Sequence, residues 1–216
     1  SKTITLTPSQ SKAINYLSIW DRNAYVHSIA TSIAIEWATL WAAQIPPATT
    51  EEEGTQLIKK YHRMVNEVPN EKKLTLLDAS MAQLEKLYGT WELPWGDINR
   101  YQRVGPNEKY NDNVASIPVA QTSSKWGQLP AFESRRMEGT IKRYGFSGNS
   151  FVAAVSFGKK VEAKTIITGG QSRFSNNIHF TDQADGYIQG NFKNIHFYKE
   201  DVLRHAVTSY NPGLVK

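Results

Sequence analysis

The chain has 216 residues, with 25 Lys and Arg against 20 Asp and Glu, 40% apolar residues and no cysteine. That length can bury a real core in one large domain or two small ones, while the missing thiols exclude a disulfide framework, a thiolate metal site and a cysteine nucleophile. The net charge of +5 is spread along the chain without a run of five or more like charges, which fits a solvated mixed-charge surface rather than a nucleic-acid footprint, and no stretch of about 18 apolar residues is present to cross a membrane.

No basic segment followed by an apolar run opens the chain, so no signal peptide is expected. Residues 1–13 read as an extended arm in which Ile4 and Leu6 alternate with threonines until Pro8 ends it. Residues 14–89 read as a helical segment of three helices. Val26, Ile29, Ile33, Trp37, Leu40 and Trp41 form the first stripe, stopped by Pro46-Pro47. Thr50 with Glu53 has the form of a capping box opening the second helix, whose inward residues are Leu57, Tyr61, Met64, Val65 and Val68. After Pro69, the residues Leu74, Leu77, Met81, Leu84 and Leu87 make the third, which Gly89 caps. Residues 90–146 form an irregular segment rich in Trp, Pro and Gly, with short strands and few helices.

Residues 147–216 hold the β-rich part: a hairpin, a loop and a terminal strand and helix. Phe151 to Phe157 is nearly continuous in apolar residues, as in a strand covered on both faces. Val161 to Ile167 alternates with Glu162 and Lys164, as in a strand nearer an edge. The turn between them is Gly158-Lys159-Lys160. Asn194 to Tyr198 reads as a last strand, and Lys199 to His205 as a last helix. The fold class is therefore α+β: an N-terminal helical segment, then an antiparallel β-rich C-terminal half.

Several residue types could carry chemistry. Ser1 meets the sequence condition for an N-terminal serine nucleophile that uses its own α-amine as base. The five histidines, His27, His62, His179, His196 and His205, do not stand at metal-ligand spacing. His179 lies three residues before Asp182, a spacing at which a carboxylate can orient an imidazole, either as a structural contact or as part of a small serine hydrolase site. Against the latter, Ser147 to Phe151 lacks the Gly-x-Ser-x-Gly nucleophile turn. Gly169-Gly170-Gln171-Ser172 follows a strand but leads into a loop-like sequence, which weakens a phosphate-cradle reading. Trp91, Trp95, Tyr101 and Trp126 could stack on a ligand or anchor the irregular segment.

Taken in order, Trp20-Asp21-Arg22, Trp95-Gly96-Asp97-Ile98-Asn99-Arg100-Tyr101-Gln102-Arg103, Ser147-Gly148-Asn149-Ser150-Phe151-Val152, Gly170-Gln171-Ser172, His179-Phe180-x-Asp182-Gln183 and Tyr187 resemble the C-terminal part of the β-subunit of the penicillin amidase family, which includes acyl-homoserine-lactone acylases. The resemblance covers most of the chain from about residue 14. It implies a fragment of a four-layer αββα N-terminal-nucleophile hydrolase fold, whose parent hydrolyses the amide of an N-acylated small molecule of β-lactam or acyl-homoserine-lactone type. It also implies a periplasmic or extracellular setting.

In that family the serine nucleophile, the oxyanion asparagine and the calcium ligands lie upstream of the matching segments. The resemblance therefore implies no catalytic residue, metal or cofactor here. The implied partner is the missing N-terminal portion of the parent, its α-subunit and upstream β-subunit, with no nucleic acid and no membrane. Ser1 is followed by Lys2-Thr3-Ile4 where the family nucleophile is followed by asparagine, so the nucleophile is not carried onto it. Asn177-Ile178 stands where the family has Ser-Pro. Gln171, Ser172, His179, Asp182 and Gln183 are expected to be network residues at the end of the hairpin, second in line to a site. The alternative is a free-standing binding module whose surface is the Trp-rich segment.

Overall fold

The computed structural model describes residues 4–44, 53–149, 151–211 and 213, and at 53–57 the backbone alone. Ser1, Pro46-Pro47, the Thr50 cap and Ser150 lie outside them. The chain divides into two compact units, 1–148 and 149–216.

In the first unit Pro8 begins a helix instead of ending an arm. Helix α1 runs Pro8–Ile19. Thr7 Oγ1 accepts from the Gln10 amide at 3.2 Å while Gln10 Oε1 accepts from the Thr7 amide at 2.9 Å, a reciprocal capping box. Proline fits the first helical turn because its missing N–H would have had no intrahelical partner. The extended-arm reading of residues 1–13 is thus corrected from Pro8 onward.

Val26 does not join the next stripe; it is exposed in the turn before α2 (Ile29–Ala42), where Ser28 Oγ accepts from the Thr31 amide at 3.0 Å. With α3 (Glu53–Asn66) and α4 (Asn70–Tyr88), the described residues up to Gly89 carry four helices, not three. Gly89 ends α4 at φ 79°, the left-handed cap its position suggested. On α3, Met64 is buried but Val65 is exposed, so the stripe is narrower than its sequence implied.

Ala13, Ile33, Leu77 and Met81 form one core cluster; Ile35, Leu84, Trp95 and Ile98 form a second. The short α5 (Trp95–Ile98) leads into a four-stranded sheet of β1 (Asn99–Tyr101), β2 (Ile117–Pro118), β3 (Phe132–Arg136) and β4 (Arg143–Gly148), in the order β2-β1-β4-β3. The β1–β4 pair is parallel and the other two are antiparallel.

The second unit contains β5 (Phe151–Ser156), β6 (Glu162–Ile167), α6 (Ala184–Gln189), β7 (Lys193–Ile195) and α7 (Lys199–His205), with an antiparallel sheet ordered β5-β6-β7. The hairpin is as expected, pairing Phe151 with Ile167 and Ser156 with Glu162. The placement of its strands is reversed. β6, with its alternating charges, is central, and the apolar β5 is an edge whose side chains are largely exposed, Phe151 at 59%. Ile166 of β6 is buried beside α6, whose Gly186 approaches it. The opposite side of the pleat carries Phe151, Ala153, Val155, Thr165, Ala163 and Ile195, in register across the three strands. Phe151, Val155 and Ile195 there are all exposed. The described residues are therefore α+β, with two sheets in which antiparallel pairing dominates.

Candidate functional site

The residues singled out at the end of the hairpin are assembled by backbone bonds. As β6 ends, Gly169 C=O accepts from the Gln183 amide at 2.7 Å, and the Ser172 amide donates to His179 C=O at 3.0 Å. These two bonds bring residues 169–172 against 179–183 and close the intervening loop. Gly170 lies where the two segments touch: a Cβ there would stand 2.0 Å from His179 O and 2.6 Å from Asp182 Oδ1. Only glycine permits that approach. Asn177 Oδ1 accepts from the His179 amide at 2.8 Å, capping a single 3-10 turn over Ile178–Phe180, and Phe180 is buried beneath it.

His179 and Asp182 do meet. Nδ1 lies 2.7 Å from Asp182 Oδ2, which places the ring proton on Nδ1 and leaves Nε2 outward; the imidazole is 61% exposed. Gln183 Oε1 accepts from Lys193 Nζ at 2.6 Å, tying the loop to β7. Ser172 Oγ accepts from the Phe174 amide at 3.1 Å. His179 is bonded through its ring to Asp182, through its amide to Asn177 and through its carbonyl to Ser172. Gln171 is exposed, outside these bonds. Four of the five predicted residues thus join one hydrogen-bonded loop. No group of three or more metal-ligating side chains occurs among the described residues.

The Trp-rich segment is a scaffold. Trp95 is 1% exposed and its Nε1 donates to Ala120 O at 3.1 Å. Trp91 meets Tyr16 edge-on at 6.3 Å, and Trp126 stacks on Tyr61 of α3 at 5.9 Å. Asn99, fully buried, donates from Nδ2 to Val119 O and Gln121 O at 2.9 Å. Arg100 holds Gly96 O at 2.8 Å and the Ser116 hydroxyl at 3.0 Å. Within the Trp95–Arg103 motif, Trp95, Asn99 and Arg100 therefore turn their polar groups to backbone and side-chain partners inside the first unit, while Asp97 is exposed. Asp21, in the Trp20-Asp21-Arg22 turn, accepts from the Asn23 amide at 2.9 Å, and this bond holds its carboxyl below the usual range.

One constellation gave little sequence signal. Glu36 of α2, 4% exposed, accepts from Arg136 of β3 at 3.2 Å and from Arg143 of β4 at 3.0 Å. The partners are 100 and 107 residues away in sequence. Glu36 lies beside Trp37 in an otherwise apolar stripe, and an acidic residue on a core-facing helix was the one available hint.

The described residues form an α+β fold with a helical scaffold, a buried Trp95 and a loop in which Gly170 lets residues 169–172 close on 179–183. The penicillin amidase family model matches residues 2–204, and the chain belongs to that family. At that level it is an acylase-like amidohydrolase sequence.

Proposed function

We propose that this chain is the C-terminal part of the β-subunit of a penicillin-acylase-like amidohydrolase, supplying a helical layer and the last strands of a sheet in the four-layer fold. The parent hydrolyses the amide bond of an N-acylated small molecule, of β-lactam or acyl-homoserine-lactone type, outside the cytoplasm. An N-terminal serine from an upstream segment is the nucleophile and calcium is bound upstream. The chain alone is inactive.

The observation that carries this reading is the match to the penicillin amidase family over residues 2–204. The uncovered side of the second unit's sheet supports the partner. Phe151, Val155 and Ile195 stay exposed there although burying such a side chain stabilises a fold by about 1.5–3 kcal/mol. The missing N-terminal portion of the parent is the layer we assign to it. The loop of Ser172, His179, Asp182 and Gln183 then fixes the end of the hairpin behind the catalytic serine.

The test is reconstitution. Purified alone, the chain should not hydrolyse N-acyl substrates; expressed together with the upstream portion it should co-purify and restore serine-dependent hydrolysis. Serine-dependent amide hydrolysis by the 216-residue chain alone would overturn the proposal.

A further inference from the structure

Helix α7 is attached to the second unit by contacts of an unusual kind: none of its residues is buried, and Leu203 is exposed. What holds it is polar and aromatic. Lys160 of the β5–β6 turn meets Asp201 at 2.7 Å, and the hydroxyl of Tyr198, just before the helix, accepts from the Val161 amide at 2.8 Å. His205, the last residue of α7, stacks on His196, just after β7, with ring centroids 3.8 Å apart and planes 11° from parallel. His205 Nδ1 donates to Asp201 O at 2.8 Å, fixing its ring at the helix end.

We propose that His196 and His205 form an acid-sensitive clasp that docks α7 on β7 when at least one ring is neutral and releases it when both are charged. Two face-to-face imidazolium rings would repel at short range; the carboxylate nearest in register is Glu162 of β6, exposed and next to Ala163, the partner of Ile195. Asp201, the carboxylate at hand, is already shared by Lys160 and by Arg204 at 3.1 Å. Those three groups together leave one positive charge. Lys199 and Glu200 in the first turn of α7 offset each other, Lys159 adds a further cation at the hairpin turn, and Lys193 of β7 is engaged with Gln183.

The other links do not release in the same range. The bond from Lys160 holds the Asp201 carboxyl below its ordinary value. Its contribution is present above the carboxylate range and fades only as pH falls through that lowered value. The stacked pair is the contact of α7 made by two imidazoles, the side chains that acid can charge.

Hydrogen–deuterium exchange with peptides covering residues 198–208 of the intact mature protein, corrected for intrinsic exchange rates, reads the clasp. Protection of the α7 amides should fall about tenfold from pH 7.5 to 5.0. His205→Phe and His196→Phe, which keep an aromatic ring but cannot charge, should each retain protection at pH 5.0. Unchanged protection in the parent sequence, a loss that persists in both Phe variants, or loss at both pH values in the variants would overturn the proposal. In the 216-residue chain all six tryptophans lie between Trp20 and Trp126, so the emission of that chain, measured alongside, reports whether its first unit stays folded.

Discussion

At Gly170 a single hydrogen atom decides whether the loop can close. Its α-carbon faces His179 O and Asp182 Oδ1 so closely that even a methyl group overlaps backbone. Gly170→Ala should destabilise the second unit by about 2 kcal/mol or more, since overlap with a main-chain carbonyl cannot be relieved by a rotamer change. A calorimetric unfolding profile of the variant checks this. Glu36 is the corresponding residue of the first unit. Glu36→Gln leaves two mostly buried arginines without their shared anion and should cost about 3–5 kcal/mol, read by urea unfolding through tryptophan emission. Replacing Glu36, Arg136 and Arg143 together by apolar residues should cost much less, because no buried charge is then left alone.

Elements here are held by caps and clamps as much as by propensity. Helix α1 is fastened by Glu92, which accepts from Lys12 Nζ at 2.7 Å and from the Tyr16 hydroxyl at 2.8 Å. The Lys12 bond, then the Tyr16 bond, hold the Glu92 carboxyl below the usual carboxylate range. A lowered acid stabilises the folded state above its unfolded pKa, and the stabilisation is lost as pH falls through the folded value. Glu92→Gln should therefore weaken α1 at neutral pH and flatten the loss of stability with acid below about pH 4.5, measured as the denaturation midpoint against pH. The hairpin shows how neighbours override local pattern. β6 carries charges on alternate residues yet is central, because Ile166 is the residue α6 covers. β5 carries none and remains an edge without the charges or proline that normally protect one.

For the molecule as a whole, alkaline pH tests the first unit's interior. Burial pushes Tyr88 up to about 12, and Tyr144 reaches about 12 through burial and its hydrogen bond to Asp112. Raised acids stabilise the folded state in full below the unfolded value near 10, and this support is lost as pH rises toward 12. Absorbance titration at 295 nm should show these two phenols ionising late, together with unfolding. The second unit makes a different statement. Ile166, Phe180, Ala184 and Tyr187 are its buried apolar residues among those described, against exposed Phe151, Val155, Phe157, Phe174, Ile178, Ile195 and Phe197. The chain on its own should self-associate, and Phe151→Asp with Phe157→Lys should reduce this in sedimentation velocity. A monomeric unsubstituted chain, or association that the two substitutions leave unchanged, would show that the exposed face does not drive self-association.

Local residue pattern was enough to specify the α+β class, the αL cap at Gly89, the hairpin from Phe151 to Ile167 and the meeting of His179 with Asp182. Each follows from residues at most a few turns apart, where period, glycine and short spacing act directly. The same local rules misread Pro8 as a stop, because a proline at the first helical turn and one at the end of an arm look alike until Thr7 and Gln10 are seen to cap. Long-range packing set the rest: Trp95, Asn99 and Arg100 turn inward, Glu36 gathers Arg136 and Arg143 from two strands, His196 stacks on His205, and the apolar β5 is an edge. Those outcomes depend on which distant surfaces come together, and free energy gained by burial between them is not encoded in the period of either segment alone.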